Sequence, residues 1–111
     1  MRKQLTWIGS SRSDLLDLPD EARRKIGHQL NMVQQGADPD DWKPFATIGA
    51  GVREIRVQVE GNQFRSIYVV QFEEAIYVLH CFGKKEQKTS TRDVDIAKRR
   101  YKLMNKLRAS P

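Results

Sequence analysis

The residues of this chain best equipped for chemistry are cations placed near the ends of apolar runs. Arg56 lies in "VREIRVQV", Arg65 opens "FRSIYVVQF", and Lys84 and Lys85 follow "AIYVLHCF". If these three runs form an antiparallel meander, the end of the first, the start of the second and the end of the third meet at one edge. Arg56, Arg65, Lys84 and Lys85 then surround a single phosphate. Fixed cations in that arrangement stabilise the negative charge that builds up on a phosphate under attack. A lysine crowded by other cations has a lowered pKa and becomes fit for proton transfer. His80 sits four residues before Lys84 and shares its face if the strand stays regular. It reads either as a proton-transfer or substrate-contacting group or as a packed strand histidine. Arg56, Arg65, Lys84, Lys85 and His80 are therefore the candidate catalytic residues. Arg53, Lys88, Arg92 and Arg99 are further candidates for RNA contact.

Such a set suits RNA cleavage without a metal ion. That reaction needs a base for the 2′-hydroxyl, cations for the phosphorane-like transition state, and a proton or cation for the leaving 5′-oxygen. The stronger signatures of other chemistries are missing from the sequence. It has no Cys/His metal spacing, phosphate-binding G-x-x-x-x-G-K-[ST], G-x-S-x-G or H-E-x-x-H, and no convincing pair of carboxylates. No metal or other cofactor is expected.

Charge distribution points the same way. The net charge is +6. From Phe82 onward there are ten Lys/Arg against three Asp/Glu, whereas the first 81 residues hold ten against eleven. The excess lies wholly in the C-terminal quarter, which suggests a polyanionic partner. Cys81 is alone in an apolar run and reads as a small buried hydrophobe. There is no signal-peptide pattern and no apolar stretch long enough to span a membrane, so a soluble cytoplasmic protein is expected.

The elements that must position these residues follow from period and punctuation. Lys3–Gly9 reads as a strand. Ser11 with Asp14 resembles a capping box before a short helix that Pro19 stops. Asp20 caps a second helix over Glu21–Gln35, with Ala22, Ile26, Leu30 and Val33 on one face and His28 on the wet side. The two form a helical hairpin over one face of a sheet. Gly36–Gly51 reads as a loop pinned by Trp42 and Phe45. Strands follow at Val52–Val59, Phe64–Phe72 and Ala75–Phe82, with a turn at Glu60–Gln63 in which Gly61 and Asn62 supply positive φ. Ser90 and Asp93 cap a last helix over Thr91–Leu107, with Val94, Ala97, Tyr101 and Met104 as its apolar stripe. The order β-α-α-β-β-β-α is an α+β domain spanning 1–111, with an antiparallel sheet whose edge takes the first strand.

Several pieces, in this order and at these intervals, resemble one known superfamily. They are Arg53-Glu54-Ile55-Arg56, Phe64-Arg65 with Tyr68, Leu79 through Thr89 with its Lys84-Lys85 pair, and "DIAKRRY". Together they resemble the RelE/ParE toxins, most nearly the HigB-like, phage-derived branch, over nearly the whole chain. The resemblance implies a RelE-like fold and the toxin of a type II toxin–antitoxin pair. It implies a metal-independent, ribosome-dependent endoribonuclease that cuts mRNA in the decoding site. Arg65 matches the arginine opening the third strand, Lys85 a basic catalytic position after the fourth, and Arg56 a basic position on the second. Thr91 stands where RelE-like toxins carry a tyrosine, which leaves the stacking and proton-transfer roles unassigned. The implied partners are mRNA on the ribosome, rRNA and a cognate antitoxin of the helix-turn-helix kind. Two other functions compete: a ParE-like toxin that binds DNA gyrase, and a basic nucleic-acid-binding domain without catalysis. The tight basic cluster favours the nuclease.

Overall fold

The computed structural model describes residues 2–84 and 88–110. Strand β3 (Val52–Val59) decides the architecture. Its Ile55, Val57 and Val59 join one core cluster and Val52 joins another. A strand with buried side chains on both faces must lie between two layers. The flanking strands are β1 (Leu5–Trp7), β2 (Trp42–Pro44), β4 (Asn62–Val69) and β5 (Ile76–Lys84), in the sheet order β1-β5-β4-β3-β2. Helices α1 (Ser11–Leu16) and α2 (Asp20–Gln34) cover one face, and α3 (Thr91–Ala109) covers the other.

Each helix buries the stripe its spacing predicts. Ala22, Ile26, Leu30 and Val33 of α2 meet Ile55, Val57, Phe64 and Tyr68. Ala97 and Met104 of α3, flanked by Val94 and Tyr101, meet Val52, Ile67, Val69, Leu79 and Phe82. The end of α2 is closed by Gly36 at φ 91°, a left-handed residue just past the cap. The start of α3 is capped as expected: the Asp93 amide donates to Ser90 Oγ at 3.1 Å.

Several sequence expectations are corrected. The 36–51 segment is not all loop, because Trp42–Pro44 pairs antiparallel with Arg53–Ile55. The sheet is mixed: β1 joins the edge as expected but runs parallel to β5, with Leu5 opposite Ile76. Strand β4 starts two residues early and stops at Val69, and β5 runs on to Lys84. Ser11 is not a cap. It is buried within α1, and its hydroxyl donates to the Val78 carbonyl at 2.9 Å, which ties the helix to β5. Asp20 makes no side-chain cap bond and pairs instead with Arg23 at 2.8 Å.

Two local irregularities aim side chains. A bulge in β5 lets Ile67 face His80 while Tyr68 faces Val78. Leu79 and Phe82 consequently both reach the α3-side core, and His80, Phe82 and Lys84 follow each other on that face. The β3–β4 turn has only two residues, Glu60 at φ 49° and Gly61 at φ 83°, rather than Gly61 and Asn62. Positive φ at both positions is the type I′ hairpin, whose twist matches that of its strands.

Glutamate is poorly suited to the first position of that turn, since a left-handed conformation costs an L-residue about 1–2 kcal/mol. Glu60→Asn, which creates the preferred Asn-Gly pair, is expected to raise unfolding stability by about 0.5–1 kcal/mol. Urea denaturation checks this, and an unchanged or lowered midpoint would contradict the turn assignment.

Candidate functional site

Register brings together three of the predicted cations. Arg56 stands directly opposite Arg65, and Lys84 stands opposite Gln63, the residue two before Arg65. Like charges facing each other across a ladder repel. What holds them is Glu54, two residues before Arg56 on the same face and fully buried. Its Oε2 accepts a hydrogen bond from Thr89 Oγ1 at 3.0 Å. Its Oε1 has Arg65 Nε at 3.5 Å, Arg56 Nε at 3.6 Å and Lys43 Nζ at 3.9 Å. None of these closes into a hydrogen bond, so Glu54 Oε1 and both Nε atoms are buried with only charge to hold them. A carboxylate taken out of water requires such cations.

Three cations thus converge on one carboxylate, Lys43, Arg56 and Arg65, and Lys84 lies within reach of its charge. The excess of positive charge is what an incoming phosphate would neutralise. Arg65 is the most buried of them. It is only 4 % exposed, and its Nη1 donates to Gln63 Oε1 and to the Phe64 carbonyl, each at 3.0 Å. Burial pulls its pKa down, with Glu54 working against that shift. The Lys84 pKa is also lowered, first by burial and then by the charge of Arg65, while Glu54 again opposes.

His80 shares the face of Lys84, as expected, but is not open to a substrate. It is buried, its Nε2 lies 2.7 Å from Asp93 Oδ1 and its Nδ1 lies 3.4 Å from Asp14 Oδ2. Its ring stacks on Phe82 at 4.7 Å. Arg100 completes the knot, donating to Asp14 Oδ2, the Leu79 carbonyl and Ser10 Oγ at 2.7, 2.9 and 2.7 Å. The group joins α1, β5 and α3.

Arg53, Arg92 and Arg99 stand outside the cluster. Arg53 faces the hairpin side, over the Trp42 ring at 4.1 Å and beside Asp38 at 3.3 Å. Lys88 is exposed next to Thr89. Arg92 and Arg99 line an open groove of about 620 Å³ on the outside of α3, together with Lys98, Lys102 and Asp95. Lys85 lies outside the described residues. Sequence reasoning missed Lys43, Glu54 and Thr89. The alternation of β3 already put Glu54 beside Arg56, but Lys43 was hidden in the unrecognised strand β2.

Arg56 also lines a groove between α2 and β3. Among the described residues no three His, Cys, Asp or Glu side chains stand close enough to hold a metal ion. Among the described residues no helix is long and apolar enough to cross a membrane.

The surroundings of Lys84 give a titration with a defined sign. Its ammonium is expected to lose its proton below the ordinary lysine value of 10.5. Glu54→Gln should lower it further, because the one attractive charge goes while Arg65, Lys43 and Arg56 stay. A depressed folded pKa means that the contribution of Lys84 to stability is present above pH 10.5 and is lost as pH falls through the folded value. Isotope-edited NMR titration of the lysine Nζ in both proteins checks this, and an equal pKa in the two would contradict the geometry.

No curated protein matches the chain. Residues 13–102 match the family described as Phage derived protein Gp49-like (DUF891). The match begins in α1, ends in α3 and takes in the whole cluster, and the chain belongs to this Gp49-like family.

Proposed function

We propose that this chain is the toxin of a type II toxin–antitoxin pair of the HigB-like kind, and that it cuts mRNA on the ribosome without a metal ion. Membership of the Gp49-like family suggests a toxin of this sort. The observation that carries the nuclease reading is the convergence of Lys43, Arg56 and Arg65 on the buried Glu54, with Lys84 within reach of its charge.

In this reading the scissile phosphate sits on Arg56 and Lys84, and Arg65, itself buried, adds its charge from beneath them. The 2′-oxygen forms a bond to phosphorus as its proton is taken up. The bond from phosphorus to the 5′-oxygen breaks, and that oxygen takes a proton, leaving a 2′,3′-cyclic phosphate and a 5′-hydroxyl. Arg56 and Arg65 meet the charge that builds up on the phosphate oxygens, already oriented before the substrate arrives. Lys84, with its lowered pKa, is the described residue suited to move a proton. Lys85, the neighbouring candidate, joins it through the family resemblance alone. Glu54 is fully buried and acts through the arginines as a positioning residue. His80 holds α1, β5 and α3 together rather than touching RNA. The basic outer face of α3, with Arg92 and Arg99, suits rRNA, and Lys88 and Arg53 are outlying RNA contacts. A small helix-turn-helix antitoxin is the partner that this reading implies.

Programmed ribosomes with a defined mRNA provide the test. Wild type should leave cut transcripts, and Arg65→Ala should slow cleavage by about 10²-fold or more, the scale of losing one preorganised charge donor. Uncut mRNA with the wild-type protein would sink the nuclease reading.

A further inference from the structure

Strand β3 is covered on its outer edge for only part of its length. Strand β2 pairs with Arg53–Ile55, and the Arg56 amide donates to the Asp41 carbonyl at 2.9 Å. Beyond that point no strand of the described residues follows the edge, and the Gln58 carbonyl is taken instead by Lys25 Nζ of α2 at 3.0 Å. Between α2 and this edge lies a groove of about 580 Å³. That is within the usual size of small-molecule sites, roughly 300–1,000 Å³.

Two features give the groove a chemical preference. Arg24 and His28 line it, four residues apart on α2 and therefore on one face of the helix. Both are exposed, and neither makes a hydrogen bond or ion pair among the described residues. A guanidinium and an imidazole so placed are flat π surfaces of the kind on which unstacked RNA bases lie. The second feature is continuity. Arg56 lines this groove and also stands in the cation cluster on the other face of the sheet, so a strand with one phosphate on the cluster reaches the groove by rounding the bare edge of β3. The charges of Arg24, Lys25 and Arg56 outweigh those of Glu21 and Asp40, which suits an anionic chain.

We propose that the α2–β3 groove is a nucleotide subsite, in which Arg24 and His28 stack on the base adjoining the phosphate held by Arg56. The identity of the ligand as single-stranded RNA rests on the reading of the chain as an RNA-cutting toxin. Nothing in the cluster itself reads a base, so the groove is where a preference for one nucleotide over another would arise.

The test uses the full chain and a 2′-O-methyl RNA trinucleotide, which lacks the attacking hydroxyl and stays intact. The double variant Arg24→Ala with His28→Ala should bind it about tenfold more weakly than wild type, the scale of losing one stacked base. On programmed ribosomes the same variant should still cut, with a raised KM and a broader set of cut sites. Both positions are exposed on a helix and alanine is a good helix former, so an unchanged urea midpoint confirms folding. Wild-type affinity in the double variant overturns the subsite, as does wild type that fails to bind the trinucleotide; an antitoxin strand pairing with the bare edge of β3 would then be the occupant to examine. A wild type that binds through the groove yet leaves mRNA uncut retires the nuclease reading and keeps the subsite. A variant that cuts and binds as wild type does retires the subsite alone.

Discussion

One buried carboxylate organises the polar half of this protein. Glu54 is completely removed from water, and only one of its oxygens has a hydrogen bond. The cost of that burial is met by three cations at 3.5–3.9 Å, which come from β2, β3 and β4. The short strand β2 has to pair where it does, because Lys43 lies directly opposite Glu54. The chain leading into α3 has to return over the sheet, because Thr89 supplies the hydroxyl. The two arginines tolerate facing each other because a negative charge lies beneath both. A patch that would otherwise push itself apart becomes a fixed platform, which is what transition-state electrostatics requires.

The other polar knot works between layers rather than within the sheet. Asp14 from α1, His80 from β5 and Asp93 and Arg100 from α3 meet where the three-residue β1 leaves the end of β5 uncovered. Helices on opposite faces of a sheet ordinarily have no contact with each other. Here Arg100 passes the short edge strand and reaches Ser10 and Asp14 directly. The position of α3, and with it Ser90 and Thr89 at its start, is thereby linked to the helical hairpin on the far side.

Much of this was legible in the sequence, for physical reasons that can be named. The alternation of Ile55, Val57 and Val59 and the short turn after them defined the hairpin, and the hairpin defined the meeting of Arg56 and Arg65. The stripes of α2 and α3 have helical period and became the two cores. Strand β2 was invisible because Trp42–Pro44 is too short for any period and is surrounded by Pro, Asp and Gly. Pairing with β3 makes it a strand, not its own composition. Glu54 read as the wet member of an alternating strand, since its burial depends on Thr89 thirty-five residues away. His80 was ambiguous for the same reason: the carboxylates that enclose it come from two distant helices. The direction of β1 could not be read from three residues with no turn to its neighbour.

The parallel pairing of β1 with β5 also sets an order of assembly. Leu5 meets Ile76, and the Ile8 amide donates to the Val78 carbonyl at 3.0 Å. Contacts of such long sequence separation form late, because the loop between them must close first. As the chain leaves the ribosome, its first strand and first helix have no surface to rest on until β5 has followed. The meander of β3, β4 and β5, joined by sequential turns, has the shorter loops to close. The cation cluster itself waits for Thr89, which is made only after all five strands. On this scheme a chain interrupted before Thr89 carries the arginines but lacks the geometry that makes them a site.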